Sequence, residues 1–228
     1  MDAREVRSLL EEEKDEKYRL FSQSLLPGVD NLMGVRLPSL RKLAKTIAAS
    51  DYEEFFRTNR RDYFEEIMLE GLVIGYLDLE LEEGLRLVAG FLPRIYNWSI
   101  CDSFSSNLGL VKKNRPAFLD FLRPYFKSSR PYEVRFGLVI LLNYYVDSSY
   151  LEEVFSIFSS LKPQNYYVKL GLAWALSRFF VDYPQEVFDF LASYPLDKFS
   201  HNKALEKIRQ SRRVSREWKK KIEALKIN

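Results

Sequence analysis

Three apolar runs of helical length, each interrupted by small residues, constrain the fold more than any other feature of this chain. They read GLVIGYL at 71–77, RFGLVILL at 135–142 and KLGLAWAL at 169–176. The first belongs to YFEEIMLEGLVIGYL, apolar over most of its length, which predicts a central buried helix. Gly or Ala inside such a helix removes bulk where a neighbouring helix must come close. Each run falls in the second member of a helix pair, and the pairs are about 35 to 40 residues long, the size class of HEAT and armadillo repeats. The expected fold is therefore all-α: an α-solenoid of stacked HEAT-like antiparallel helix pairs, with a concave surface lined by one helix of each pair. Strands alternating with helices are not visible and no low-complexity linker interrupts the chain, so residues 1–228 are expected to form a single domain.

Local signals agree with helices. SLRKLAKTIAAS carries Leu40, Leu43, Ala44 and Ile47 on one face, with Pro38 near its first turn. Pro38 is expected to push Leu37 toward extended geometry. DYEEFFRTN opens on Asp51, a good N-cap followed by acids in the first turn. What the composition lacks is equally informative. A single cysteine, Cys101, excludes an internal disulfide and a cysteine-built zinc site, and fits the reducing cytoplasm. A single histidine, His201, leaves no material for the ordinary histidine metal sites and catalytic triads. No metal and no cofactor is expected. The N-terminus is charged from its second residue, unlike a signal peptide, and no run of about 18 apolar residues could cross a membrane.

Charge is unevenly spread. Residues 198–226 hold eleven Lys/Arg against three acids, a surplus of eight; the total is +3, so the remainder of the chain stands at −5. A basic end on a slightly acidic body fits an anionic partner, nucleic acid first. It fits a solvated terminal helix pair equally well.

Five stretches could carry chemistry. RIYNWSICDSF, 94–104, places Trp98 and Asp102 four residues apart, on one face of a helix. An indole beside a carboxylate suits a cation: the ring contributes roughly 0.5 to 2 kcal/mol, and a carboxylate about 4 Å away adds roughly 4 kcal/mol at an effective dielectric near 20. A core tryptophan beside a surface aspartate would look the same. GVRLPSLRKLAK, 34–45, joins helix N-terminal amides to Arg36, Arg41, Lys42 and Lys45, an arrangement suited to a DNA phosphate or to an ordinary loop-to-helix junction. Trp174 lies among the small residues of KLGLAWAL, where large aromatics are usually core. Arg135 starts a strongly apolar helix and must reach water, an acid or a phosphate, since burying it unpaired is too costly. KALEKIRQSRRVSREWKKK spreads its cations over several helix faces, which fits non-specific backbone contact.

In their order and spacing, GVRLPSLRKLAK, NWSICDSF, VRFGLVILLNYY, YYVKLGLAWALSRFF and SHNKALEKIRQSRR resemble the AlkD-type DNA alkylation repair proteins over nearly the whole chain. The resemblance implies HEAT-like repeats that wrap duplex DNA in a basic concave groove. It also implies excision of cationic alkylpurines, such as 3-methyladenine and 7-methylguanine, without metal, cofactor or base flipping. Trp98 then matches the tryptophan that lies against the lesion, Asp102 the catalytic aspartate and Trp174 a second aromatic wall. The DNA-contact set is Arg36, Arg41, Lys45, Arg135, Lys169, Lys203, Arg212 and Arg213, on a chain acting as a monomer. One segment departs from the pattern. Active members form a helix entering the minor groove just before GVR…P, whereas KYRLFSQSLLPGVDNLMGVRLP, with Pro27, Gly28 and Asp30, is expected to be a turn or loop. That departure keeps open a silent paralogue that binds DNA weakly; a protein-interaction scaffold is the third reading.

Overall fold

The computed structural model describes residues 1–194 and 196–227. The protein is all-α: fifteen α-helices form and no strand is present among the described residues. The residues gather into two compact units, one ending at Asn114 and the other beginning at Arg115.

The first unit holds α1 (Ala3–Glu12), α2 (Glu16–Leu25), α3 (Leu37–Ala48), α4 (Tyr52–Thr58), α5 (Phe64–Tyr76), α6 (Leu81–Phe91), α7 (Trp98–Ser105) and α8 (Gly109–Lys113). Its centre is α5, which packs against both α3 and α7. Eleven of its thirteen residues are buried, as the apolar run requires. A Cβ at Gly71 would lie 2.7 Å from the ring of Phe91, which is itself fully buried and packed edge-on to Phe104. The Asp51 cap is in place, its carboxylate accepting the Glu54 amide at 3.0 Å. Leu37, expected to be extended, is instead the first helical residue, and Arg36 before it is extended. A proline at the second helical position removes no helical bond, because the first amides have no partner within the helix.

The second unit holds α9 (Arg115–Leu122), α10 (Pro131–Tyr144), α11 (Leu151–Ser160), α12 (Tyr166–Asp182), α13 (Pro184–Ser193), α14 (Lys198–Gln210) and α15 (Arg216–Lys221). Here α12 packs against both α10 and α14. Val134 to Leu142 of α10 form one unbroken buried stretch. Gly171 of α12 behaves differently from Gly71: a Cβ there would make ordinary contact, 3.4 Å from Leu138.

A cluster of buried carboxylates was hidden in the apolar α5. Glu65 accepts the amides of Met33 at 2.8 Å, Gly34 at 2.7 Å and Val35 at 3.2 Å. Glu66 accepts the Asp62 amide at 2.8 Å and pairs with Arg7, and Glu70 pairs with Arg61 at 2.7 Å. Burial pushes the Glu65 carboxyl up, against the three amides that pull it down. These acids stitch the 26–36 loop and the N-terminal helices onto the central helix.

Two outcomes follow from this packing. Gly71→Ala should lower stability by about 1 to 3 kcal/mol through overpacking, whereas Gly171→Ala should be neutral or stabilising by up to about 1 kcal/mol from helix propensity; thermal unfolding of both variants checks the contrast. Glu65→Gln turns an amide donor toward backbone donors and should cost about 1 to 3 kcal/mol for each amide left unsatisfied. Because the folded carboxyl titrates above its ordinary value of 4.5, the native state binds the extra proton. The advantage of Glu65 over Gln is then fullest at or below that value and shrinks as pH rises through the folded value. Urea unfolding across the acid-to-neutral range reads this out, and a gap that widens with pH would contradict it.

Candidate functional site

Asn97 sets the start of α7: its side chain accepts the Ile100 amide at 3.0 Å. This cap makes Trp98 the first helical residue and puts Asp102 one turn later, both half-buried. Cys101 between them is buried, and its carbonyl accepts the Ser105 hydroxyl at 2.6 Å. The indole N–H of Trp98 does not point into the core. It donates to the carbonyl of Leu25, the last residue of α2, at 3.2 Å.

The segment expected to be a loop divides in two. Residues 16–25 form α2, capped by Asp15, whose carboxylate accepts the Tyr18 amide at 3.0 Å. The turn is confined to the residues that follow, where Gly28 takes φ +78° and Gly34 φ +90°. Pro27 and Gly28 end a helix; they do not prevent one. No residue of α2 is buried, and Leu20, Phe21 and Leu25 are 56%, 60% and 48% exposed. The helix is held by polar tethers at its ends. At its start, the Asp15 amide donates to the Gly34 carbonyl at 3.2 Å, an approach so close that a Cβ at Gly34 would lie 2.6 Å from the Asp15 oxygen. Arg36 pairs with Asp15 at 2.8 Å and stacks on Tyr18 at 4.6 Å. The Tyr18 amide and Arg36 together hold the Asp15 carboxyl below the usual carboxylate range. At the other end of α2 stands Trp98.

In the second unit, Trp174 lies half-buried midway along α12. Arg135 of α10 is buried, and its guanidinium donates to the Tyr167 carbonyl at 2.6 Å. Lys169 pairs with Asp197 at 3.3 Å, Lys203 with Glu206 at 2.7 Å and Arg213 with Asp182 at 3.3 Å. In the first unit, Lys45 rests over the Tyr76 ring at 5.3 Å. Arg41 and Arg212 are exposed in their respective units. Sequence reading counted Lys207, one turn beyond Lys203 on α14, within the basic C-terminal stretch but left it out of the DNA-contact set. Burial pushes its ammonium down; the Lys203 charge adds to that, Glu206 opposes it, and Arg135 adds a further push down. Its spacing of four residues from Lys203 was the available signal. The structure ties Trp98 and Arg36 to opposite ends of α2 in the first unit.

A family model described as DNA alkylation repair enzyme matches residues 6–208, from α1 into α14. The chain belongs to this family. The match takes in Trp98, Asp102, Arg135 and Trp174, and stops short of Arg212, Arg213 and α15. No curated protein matches the chain. Among the described residues, no helix is long and apolar enough to cross a membrane, and no group of three or more His, Cys, Asp or Glu side chains is placed to hold a metal ion.

Trp98→Phe keeps the ring and removes the donor to Leu25. Amide exchange in residues 16–25 should then rise several-fold while the buried amides of α5 keep their protection, as measured by hydrogen exchange. Unchanged exchange in α2 would show that the tether carries no weight.

Proposed function

We propose that this protein excises cationic alkylpurines, 3-methyladenine and 7-methylguanine among them, from duplex DNA by hydrolysing the N-glycosidic bond without flipping the base into a pocket. The observation that carries the reading is the Trp98–Asp102 pair, one turn apart at the capped start of α7, in a member of a DNA alkylation repair family. Trp98 offers a π-face to the positive base, and Trp174 is assigned the same role. An alkylated purine that already bears a positive charge needs no general acid to leave. The C1′–N bond breaks with its electron pair going to the base, which departs neutral, and positive charge develops on the sugar. The Asp102 carboxylate stabilises that oxocarbenium, orients a water and accepts its proton as the hydroxyl adds to C1′. The helical state of residues 16–25 supports this reading, since the segment corresponds to the helix that active relatives insert into the minor groove. Phosphate contacts are assigned to Arg36, Arg41, Lys45, Arg135, Lys169, Lys203, Arg212 and Arg213, on a monomer.

A second reading, a weak DNA binder without excision, draws on one specific observation. Arg36, Lys169, Lys203 and Arg213 are all answered by carboxylates, which lowers the field that a phosphate would meet.

A duplex carrying one 7-methylguanine, treated with the protein and then with alkali, separates the two. The first reading expects strand scission that falls by about 10²–10³-fold in Asp102→Asn, the usual scale for removing one electrostatic stabiliser. No scission at high protein concentration overturns it. Binding of undamaged duplex that weakens steeply with salt, without scission, is the signature of the second.

A further inference from the structure

A row of aromatic rings crosses the N-terminal ends of α10, α12 and α14 in the second unit. Tyr132 in the first turn of α10 meets Tyr167 with ring centroids 5.9 Å apart. Tyr167 meets Tyr166 beside it at 5.4 Å, and Tyr166 meets Phe199 in the first turn of α14 at 5.6 Å. The row does not serve the core. Tyr166 is 55% exposed and Phe199 39%, so both side chains reach water. The charge around it has one dominant sign. Lys198 is exposed beside Phe199, and Lys162 is exposed on the connection leading into α12. Neither α12 nor α14 has an acid in its first turn, unlike α4, α5, α6 and α11, which each carry two. The nearby acids are already engaged: Asp197 by Lys169, Glu206 by Lys203 and Glu133 by Ser128 and Arg130. A shallow depression of about 500 Å³ lies beside Phe199, lined by Lys198, Asn202, Lys203 and Glu206.

Exposed aromatic side chains flanked by lysines match one ligand chemistry closely: nucleotides whose bases are unstacked and whose phosphates are near. Bases inside a duplex are stacked on one another and cannot cover a ring face. An apolar peptide would satisfy the rings but leave the lysines without a counterpart. We propose that the aromatic edge of α10, α12 and α14 is a nucleic-acid surface for unpaired nucleotides, with bases stacking on Tyr166 and Phe199 and phosphates meeting Lys198 and Lys162. The surface would hold a single-stranded or frayed stretch. It uses neither Asp102 nor Trp98 and does not depend on excision.

The test uses the full chain and a fluorescein-labelled single-stranded dT oligonucleotide, with a duplex of equal length and an oligonucleotide of abasic spacers as comparators. No probe contains an alkylated base, so a failed excision assay does not bear on the result. Anisotropy should show the Tyr166→Ala/Phe199→Ala double variant binding dT at least tenfold more weakly, with duplex affinity within about twofold, since stacking on one base is worth about a tenfold change or more. Both side chains are exposed, and equal thermal midpoints for variant and wild type would confirm the fold. Tyr166→Trp should retain dT binding, and its added fluorescence should be quenched by dT but not by the abasic-spacer strand. The proposal is overturned if the double variant binds dT as wild type does, if dT and duplex affinities fall together, or if the spacer strand quenches as dT does.

Discussion

The carboxylate of Glu65 accepts three consecutive backbone amides, those of Met33, Gly34 and Val35, inside the first unit. Those amides belong to an irregular segment running from Leu26 to Arg36, which would otherwise leave its donors without partners away from water. With the segment fixed, the Gly34 carbonyl can accept the Asp15 amide and Arg36 can reach both Asp15 and Tyr18. These contacts set the start of α2, and the Trp98 indole sets its end. A single buried acid on the central helix is thus coupled, through short polar links, to the helix that touches the candidate lesion-facing tryptophan. A helix that buries none of its residues gains almost nothing from the hydrophobic effect, so polar contacts at its ends must hold it.

The apolar stacking that dominates the rest follows a different logic. In the first unit α5 packs on α3 and α7, and in the second α12 packs on α10 and α14. Small residues matter only where a side chain from the neighbour occupies the space. At Gly71 that neighbour is the buried Phe91 ring, which has nowhere to go. At Gly171 there is room for a methyl group. The same sequence signature, a glycine in an apolar run, therefore has two physical meanings.

Much of this was legible in the residues. The apolar runs foretold α5 as a buried helix and α10 and α12 as helices, the Asp51 cap appeared as expected, and Trp98 and Asp102 lie one turn apart on α7. Reading failed where one signal has two uses. Pro27 and Gly28 predict a turn or loop over this segment, yet they only terminate α2, because turn residues report where a helix stops and not how long it has run. The anchoring roles of Glu65, Glu66 and Glu70 have no signature along α5 itself. Their partners come from loops and helices distant in sequence, which periodicity along one chain segment does not encode.

The cations present the subtler case. Four of the eight lysines and arginines expected as DNA contacts pair with carboxylates in the folded chain: Arg36 with Asp15, Lys169 with Asp197, Lys203 with Glu206, and Arg213 with Asp182, which also holds Arg178. Exposed pairs of this kind contribute only about 0 to 1 kcal/mol, so an incoming phosphate can take over the cation at little cost. The carboxylate left behind still repels the nucleic-acid backbone, however, and each such neighbour subtracts from the gain.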